Sequence, residues 1–164
     1  MRIGKGCRLS NCVIRIFGDN NCVTLDDDCV AKNMEIWISD GGTVHIGHNS
    51  HFSGKIHIAC IEGKKISIGE RSLFSDEIVL RTGDSHSIID LEGKRINPSN
   101  DIVIGDHVWC GQQVVILKGA IVGVESVIGT RALVTGKQFP KGVVLAGSPA
   151  KVIKENISWH HQLL

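Results

Sequence analysis

Residues 104–134, IGDHVWCGQQVVILKGAIVGVESVIGTRALV, place Ile104, Cys110, Ile116, Val122, Ile128 and Val134 at intervals of six. Four residues after the first five of these stand Val108, Val114, Ala120, Ser126 and Ala132, all small or β-branched. Aliphatic-Gly pairs mark the same register at Ile104-Gly105, Val122-Gly123 and Ile128-Gly129, and upstream at Ile3-Gly4, Ile46-Gly47 and Ile68-Gly69. A period of six is neither the 3.6 of a helix nor simple alternation. It fits a flat strand followed by a turn, with three such units closing a triangular coil and residues eighteen apart stacked along a prism. The alternating pairs Val44/Ile46, Ile56/Ile58, Ile66/Ile68, Ile78/Leu80 and Ile102/Ile104 read as strands entering the corners. The fold class is therefore all-β, a parallel β-helix.

Composition agrees. The 164 residues fit one domain with a substantial core, and 42% hydrophobic residues, 21% charged residues and 19 Gly describe a folded chain. Aromatics are 4% with no Tyr, so Ile, Val, Leu, Ala and Cys must build the core. Lys+Arg 18 against Asp+Glu 17 leaves no positive excess for a phosphate backbone, which argues against nucleic acid as a partner. The start lacks a long apolar segment and no run approaches the ~20 apolar residues that span a bilayer, so a cytoplasmic protein without a membrane span is expected. The six cysteines include no C-x-x-C pair and read as small hydrophobes at inward positions, Cys110 among them.

The pattern resembles the hexapeptide-repeat acyltransferases. The likeness is nearest to acetyl-CoA-dependent O-acetyltransferases of the maltose, galactoside, xenobiotic and surface-polysaccharide type. It is carried by Ile104-Gly105-Asp106-His107-Val108-Trp109-Cys110-Gly111, by Val127-Ile128-Gly129, and by Ala146-Gly147-Ser148-Pro149-Ala150-Lys151-Val152-Ile153, over about the C-terminal two thirds. The resemblance implies a left-handed coil, a hand that periodicity does not supply, since parallel crossovers are otherwise mostly right-handed.

The repeat breaks in informative places. Before about Ile36 the register is ragged, and Glu62-Gly63-Lys64-Lys65 is a short insertion. Residues 81–101 form an extruded loop containing Thr82-Gly83-Asp84-Ser85-His86-Ser87 and Asn97-Pro98-Ser99. The expected organisation is a β-helix domain over 1–153 with this active-site loop, then a short helical tail over 154–164 that covers the coil end.

Acyl transfer from a thioester to a hydroxyl needs a base that titrates near neutrality, which makes His86 the catalytic candidate. Taken alone, it reads more readily as a solvated loop histidine; the resemblance implies a general base on this loop. Asp84 is expected to orient the ring, a role Asp90 could also fill. His45, His51 and His57 invite a metal reading. Positions six apart fall on successive prism faces, whereas ligands must converge on one ion, so no metal is expected and the three read as surface residues. His107 reads as an outward corner residue.

Trp109 cannot point into a narrow coil and is expected to line a groove or subunit interface. The resemblance puts it near the pantetheine arm of acetyl-CoA, aligns Gln112, Thr130 and Thr135 with positions that meet the cosubstrate along the coil edge, and aligns Ser53 with a residue reaching the acyl end. Lys151 and Lys154 stand where the family carries a basic residue near the nucleotide 3′-phosphate, although Lys154 reads equally as part of a solvated tail. Arg131 and Lys137 depart from the family pattern. The resemblance further implies a homotrimer with active sites between subunits. The leading expectation is acetyl-CoA-dependent O-acetylation of a sugar or surface polysaccharide. An N-acetyltransferase of amino sugars, a metal-dependent hydratase of the carbonic-anhydrase kind, and a non-catalytic scaffold share the same coil.

Overall fold

The computed structural model describes residues 1–163. The chain winds through three parallel sheets that form the faces of a triangular prism, a left-handed β-helix of about six turns. Face 1 has seven strands, Arg2–Ile3, Cys22–Leu25, Thr43–Ile46, Lys65–Ile68, Ile102–Ile104, Ile121–Val122 and Gln138–Phe139. Face 2 has eight, running from Arg8–Ser10 through His51–Phe52, Leu73–Phe74, Trp109–Cys110 and Val127–Ile128 to Val144–Gly147 and Ala150–Lys154. Face 3 has six, from Val13–Phe17 and Met34–Ser39 through Ile56–Cys60 and Ile78–Arg81 to Val115–Leu117 and Leu133–Val134.

Each face sends ladders of apolar side chains inward. Leu25, Ile46, Ile68, Ile104, Val122 and Phe139 stack from face 1, and Ala31, Phe52, Phe74, Cys110, Ile128 and Leu145 from face 2. Face 3 contributes Ile36, Ile58, Leu80, Ile116 and Val134. Burying each large aliphatic contributes roughly 1.5–3 kcal/mol, and the rings of Phe52 and Phe74 stack with centroids 4.8 Å apart. Small residues at the corners serve a second purpose: the buried Ser72 hydroxyl accepts from the Val108 amide at 3.1 Å, and the Ser126 hydroxyl accepts from the Val143 amide at 3.3 Å.

The turns between faces 1 and 2 place Asp28, Asn49, Arg71, His107 and Glu125 in the left-handed backbone region, with φ of 60°, 53°, 53°, 53° and 61°. His107 is thus the outward corner residue expected of it.

Two expectations change. No helix is present among the described residues. Instead of a helical tail, Ala150–Lys154 runs antiparallel to Val144–Gly147. Ala150 is buried and Val152 half-buried while Lys151 and Ile153 are exposed, an alternation of two that suits a strand, and Asn156 takes φ 56°, which stops regular structure. The rest of the tail folds back over face 2; Leu164, counted in the expected tail, lies outside the described residues. Second, Cys22 is exposed at the mouth of a strand, while Cys29, Cys60 and Cys110 are buried as expected; all six cysteines are free.

Candidate active site

The loop after Ile78–Arg81 leaves from the corner between faces 3 and 1. Gly83 is buried at its entry, where a Cβ would overlap the Ser99 hydroxyl and crowd Ile61. Ser85, immediately before His86, has φ 65°, a left-handed conformation that costs a non-glycine residue roughly 1–3 kcal/mol. The surrounding bonds hold it there. The Asn97 side-chain amide donates to the Asp84 carboxylate and to the His86 carbonyl, each at 2.8 Å, while its oxygen accepts from the Ile88 amide at 2.7 Å. Lys118, one coil below, donates to the same Asp84 carboxylate and to the Asn97 carbonyl. Arg95 clamps the loop to the coil through both oxygens of Glu62, at 2.7 and 3.1 Å.

Asp84 is therefore engaged away from the His86 ring. Lys118 first, and Asn97 second, hold its carboxyl below the usual carboxylate range. Asp90 accepts from the amides of Glu92 and Lys94 and closes a turn. His86 itself is exposed, and its ring has no hydrogen-bond partner among the described residues. Asn97, Lys118 and the Arg95–Glu62 clamp were not singled out from sequence, because their partners lie 9 to 34 residues away and no spacing rule links them.

Trp109 projects from face 2 and is 41% exposed. Trp159 of the tail lies beside it, ring centroids 6.0 Å apart, and stacks on His107 at 4.2 Å while donating its indole N–H to the His107 carbonyl at 2.7 Å. His107 in turn meets Glu125 at 2.8 Å and draws that carboxyl downward in pKa. Ser53, Gln112 and Thr130 are exposed at the corner between faces 2 and 3, with Gln112 and Thr130 one coil apart. Their side chains, like the Trp109 indole N–H, make no hydrogen bond among the described residues, an arrangement that suits an elongated amide-bearing ligand such as pantetheine. Thr135 follows Leu133–Val134 at the loop's own corner, and Lys151 and Lys154 lie exposed on the reversed last strand.

A single chain thus separates the two halves. Face 2 is the side of the prism opposite the corner from which the His86 loop leaves, so Trp109 and His86 of one chain face different directions. Cys110 is fully buried, and desolvation pushes its thiol well above the ordinary value, which removes it as a nucleophile. His45, His51 and His57 sit on faces 1, 2 and 3 in turn, and no group of three or more His, Cys, Asp or Glu able to hold a metal occurs among the described residues. No helix there is long and apolar enough to cross a membrane.

No family model matches the chain. It is 34% identical over 163 residues to a polysialic acid O-acetyltransferase of Neisseria meningitidis, covering 98% of this chain and 75% of that protein. The chain belongs to the hexapeptide-repeat acetyltransferases. Among other members it is 33% identical over 120 residues to the galactoside O-acetyltransferase of Escherichia coli strain K12, where the match spans 73% of this chain and 58% of that one. A crystallographic structure of the polysialic acid O-acetyltransferase OatWY superposes with a TM-score of 0.85 at 29% identity, over 100% of this chain and 93% of the other. The galactoside acetyltransferase in complex with coenzyme A superposes with a TM-score of 0.56 at 25% identity, over 90% and 66% of the two chains.

Proposed function

We propose that the chain is an acetyl-CoA-dependent O-acetyltransferase that transfers acetyl to a hydroxyl of a sugar or surface polysaccharide, with His86 as general base. The observation that carries this reading is the imidazole held outward on a braced loop, its main-chain carbonyl fixed by Asn97 and its ring free. The names of the relatives, which are acetyltransferases of polysialic acid and galactosides, support the acceptor class.

Acetyl-CoA supplies an activated thioester carbonyl. The His86 ring accepts the proton of the acceptor hydroxyl as that oxygen bonds to the carbonyl carbon, and returns it to the departing thiolate, so ester and free thiol are formed without a covalent enzyme intermediate. Asp84 acts as a positioning residue: it grips the Asn97 amide that grips the His86 backbone. Ser53, Gln112 and Thr130, with Trp109, hold the pantetheine arm, Thr135 meets it from a neighbouring corner, and Lys151 and Lys154 meet the phosphates.

The working unit in this reading is a homotrimer. Because face 2 lies opposite the His86 corner, the base of one chain serves the cosubstrate bound along face 2 of the next. Apolar residues exposed on the loop, Ile88, Ile89, Leu91 and Ile96, supply a surface for that contact. We place the protein in the cytoplasm, where acetyl-CoA is available. The test is thiol release from acetyl-CoA across sugar acceptors. His86→Ala is expected to lower kcat at least ~100-fold while acetyl-CoA still binds; an unchanged rate overturns the assignment.

A further inference from the structure

On face 3, a cavity of about 360 Å³ opens between the first coils and the base of the loop. One wall is aromatic: Phe17 and Trp37, 48% and 41% exposed, stand with ring centroids 5.3 Å apart and planes tilted by 39°. The indole is not free to swing, since its N–H donates to Glu35 at 2.9 Å, and the same carboxylate oxygen accepts from Arg15 at 2.9 Å. Ile61 and Glu62 line the cavity beside them, Asp40 stands at its edge, and Ser85 reaches in from the loop. Ser85 precedes His86, so the cavity adjoins the proposed base.

The lining distinguishes among ligands. Two large aromatic faces left in water at a fixed angle are costly unless something covers them, and they match the C–H face of a pyranose ring. Around them stand hydrogen-bond acceptors for hydroxyl donors: the Asp40 carboxylate, which among the described residues receives the Ser39 side-chain hydroxyl at 2.7 Å, and the remaining lone pairs of Glu62 beside Arg95. Both are anionic; Arg95 neutralises Glu62, and the nearby guanidiniums of Arg81 and Arg15 are spent on the Ser85 hydroxyl at 2.7 Å and on Glu35 at 2.9 Å, whereas Asp40 has no cationic partner among the described residues. A sugar carrying a carboxylate would meet a like charge there. The volume falls within the range of small-molecule sites rather than of a protein docking face.

We propose that the Phe17–Trp37 cavity is an acceptor subsite for an uncharged pyranose unit of a glycan, adjoining the hydroxyl that His86 activates. This rests on the acetyltransferase reading, and makes the acceptor a chain recognised away from its reacting unit. An extended acceptor then binds more tightly than a single sugar, with Trp37 supplying the difference.

Two measurements on the full chain test it. Saturation-transfer NMR with maltoheptaose, chitohexaose, β-1,4-galactohexaose and α2,8-linked sialohexaose is expected to show binding of at least one neutral oligomer that disappears in Trp37→Ala and survives in Trp37→Phe. No Trp37-dependent neutral oligomer, or Trp37-dependent binding of sialohexaose alone, overturns the subsite. Sedimentation of Trp37→Ala serves as the second arm: an altered assembly mass would show that another copy covers the aromatics, and would overturn it too. In turnover with that oligomer, Trp37→Ala should raise acceptor KM about five- to tenfold, with kcat and acetyl-CoA KM unchanged. An unchanged acceptor KM sinks the subsite and leaves the transferase standing; Trp37-dependent binding without any thiol release sinks the transferase, and with it the acceptor role, leaving a glycan-binding site.

Discussion

The Asn97 side-chain amide holds the His86 main-chain carbonyl at 2.8 Å. Asn97 is 7% exposed and its other side-chain bonds go to Asp84, Ile88 and Arg95, so the backbone at position 86 is fixed from inside the loop while the imidazole stays in solvent. Placement of the proposed base thereby falls to a residue eleven positions along the chain.

Loosening that grip should cost rate rather than cosubstrate affinity. Asn97→Ala is expected to reduce kcat about 10- to 100-fold, since small misplacements of a base have effects of this size, while acetyl-CoA KM stays constant. Parallel losses in kcat and acetyl-CoA affinity would mean that the loop, and not the base, had been displaced.

A site divided between copies predicts complementation. Trimers assembled from an equal mixture of His86→Ala and Trp109→Ala chains should recover up to about a quarter of wild-type activity, because random closure of a ring pairs an intact His86 with an intact Trp109 at that fraction of seams. A mixture no more active than its components would place both residues' work within one chain.

The Asp84 anchor sets an acid limit. Its carboxyl titrates below its ordinary value in the folded chain, so the unfolded chain binds the proton more readily. The anchor contributes fully above about pH 4 and fades as pH falls through the lower folded value. The Tm difference between wild type and Asp84→Asn should therefore stay constant from pH 8 to 5 and close below about pH 4. A gap that closes near neutrality would implicate another group.

The prism core was legible in sequence where coils are short and obscure where they are long. From Val103 to Ile121 one coil takes 18 residues, which keeps period six intact; Arg2 pairs with Thr24 and Ile14 with Ile36, a stride of 22, and the longer corners there scatter the pattern before Ile36. Loop position and the outward attitude of Trp109 followed from that register. The bracing of His86 did not, because Asn97, Lys118 and Glu62 meet only through tertiary folding. The tail was misread as helical for the same reason: a strand is favoured there by an open sheet edge at Val144–Gly147 that local sequence does not announce.

Core packing gives a stability test independent of function. Phe74 is fully buried in the face 2 ladder against Phe52, and Phe74→Ala should destabilise by about 3–5 kcal/mol, read as a lower urea midpoint. A loss under about 1 kcal/mol would mean that the neighbouring coils collapse into the space.

The reversed strand Ala150–Lys154 has a consequence for growth of the stack. A rung laid beyond it along face 2 would pair with a neighbour running the opposite way, and triangular winding needs every rung to share one direction. The molecule carries its own terminator at this margin, so fibrils that elongate by adding coils are blocked there by polarity alone.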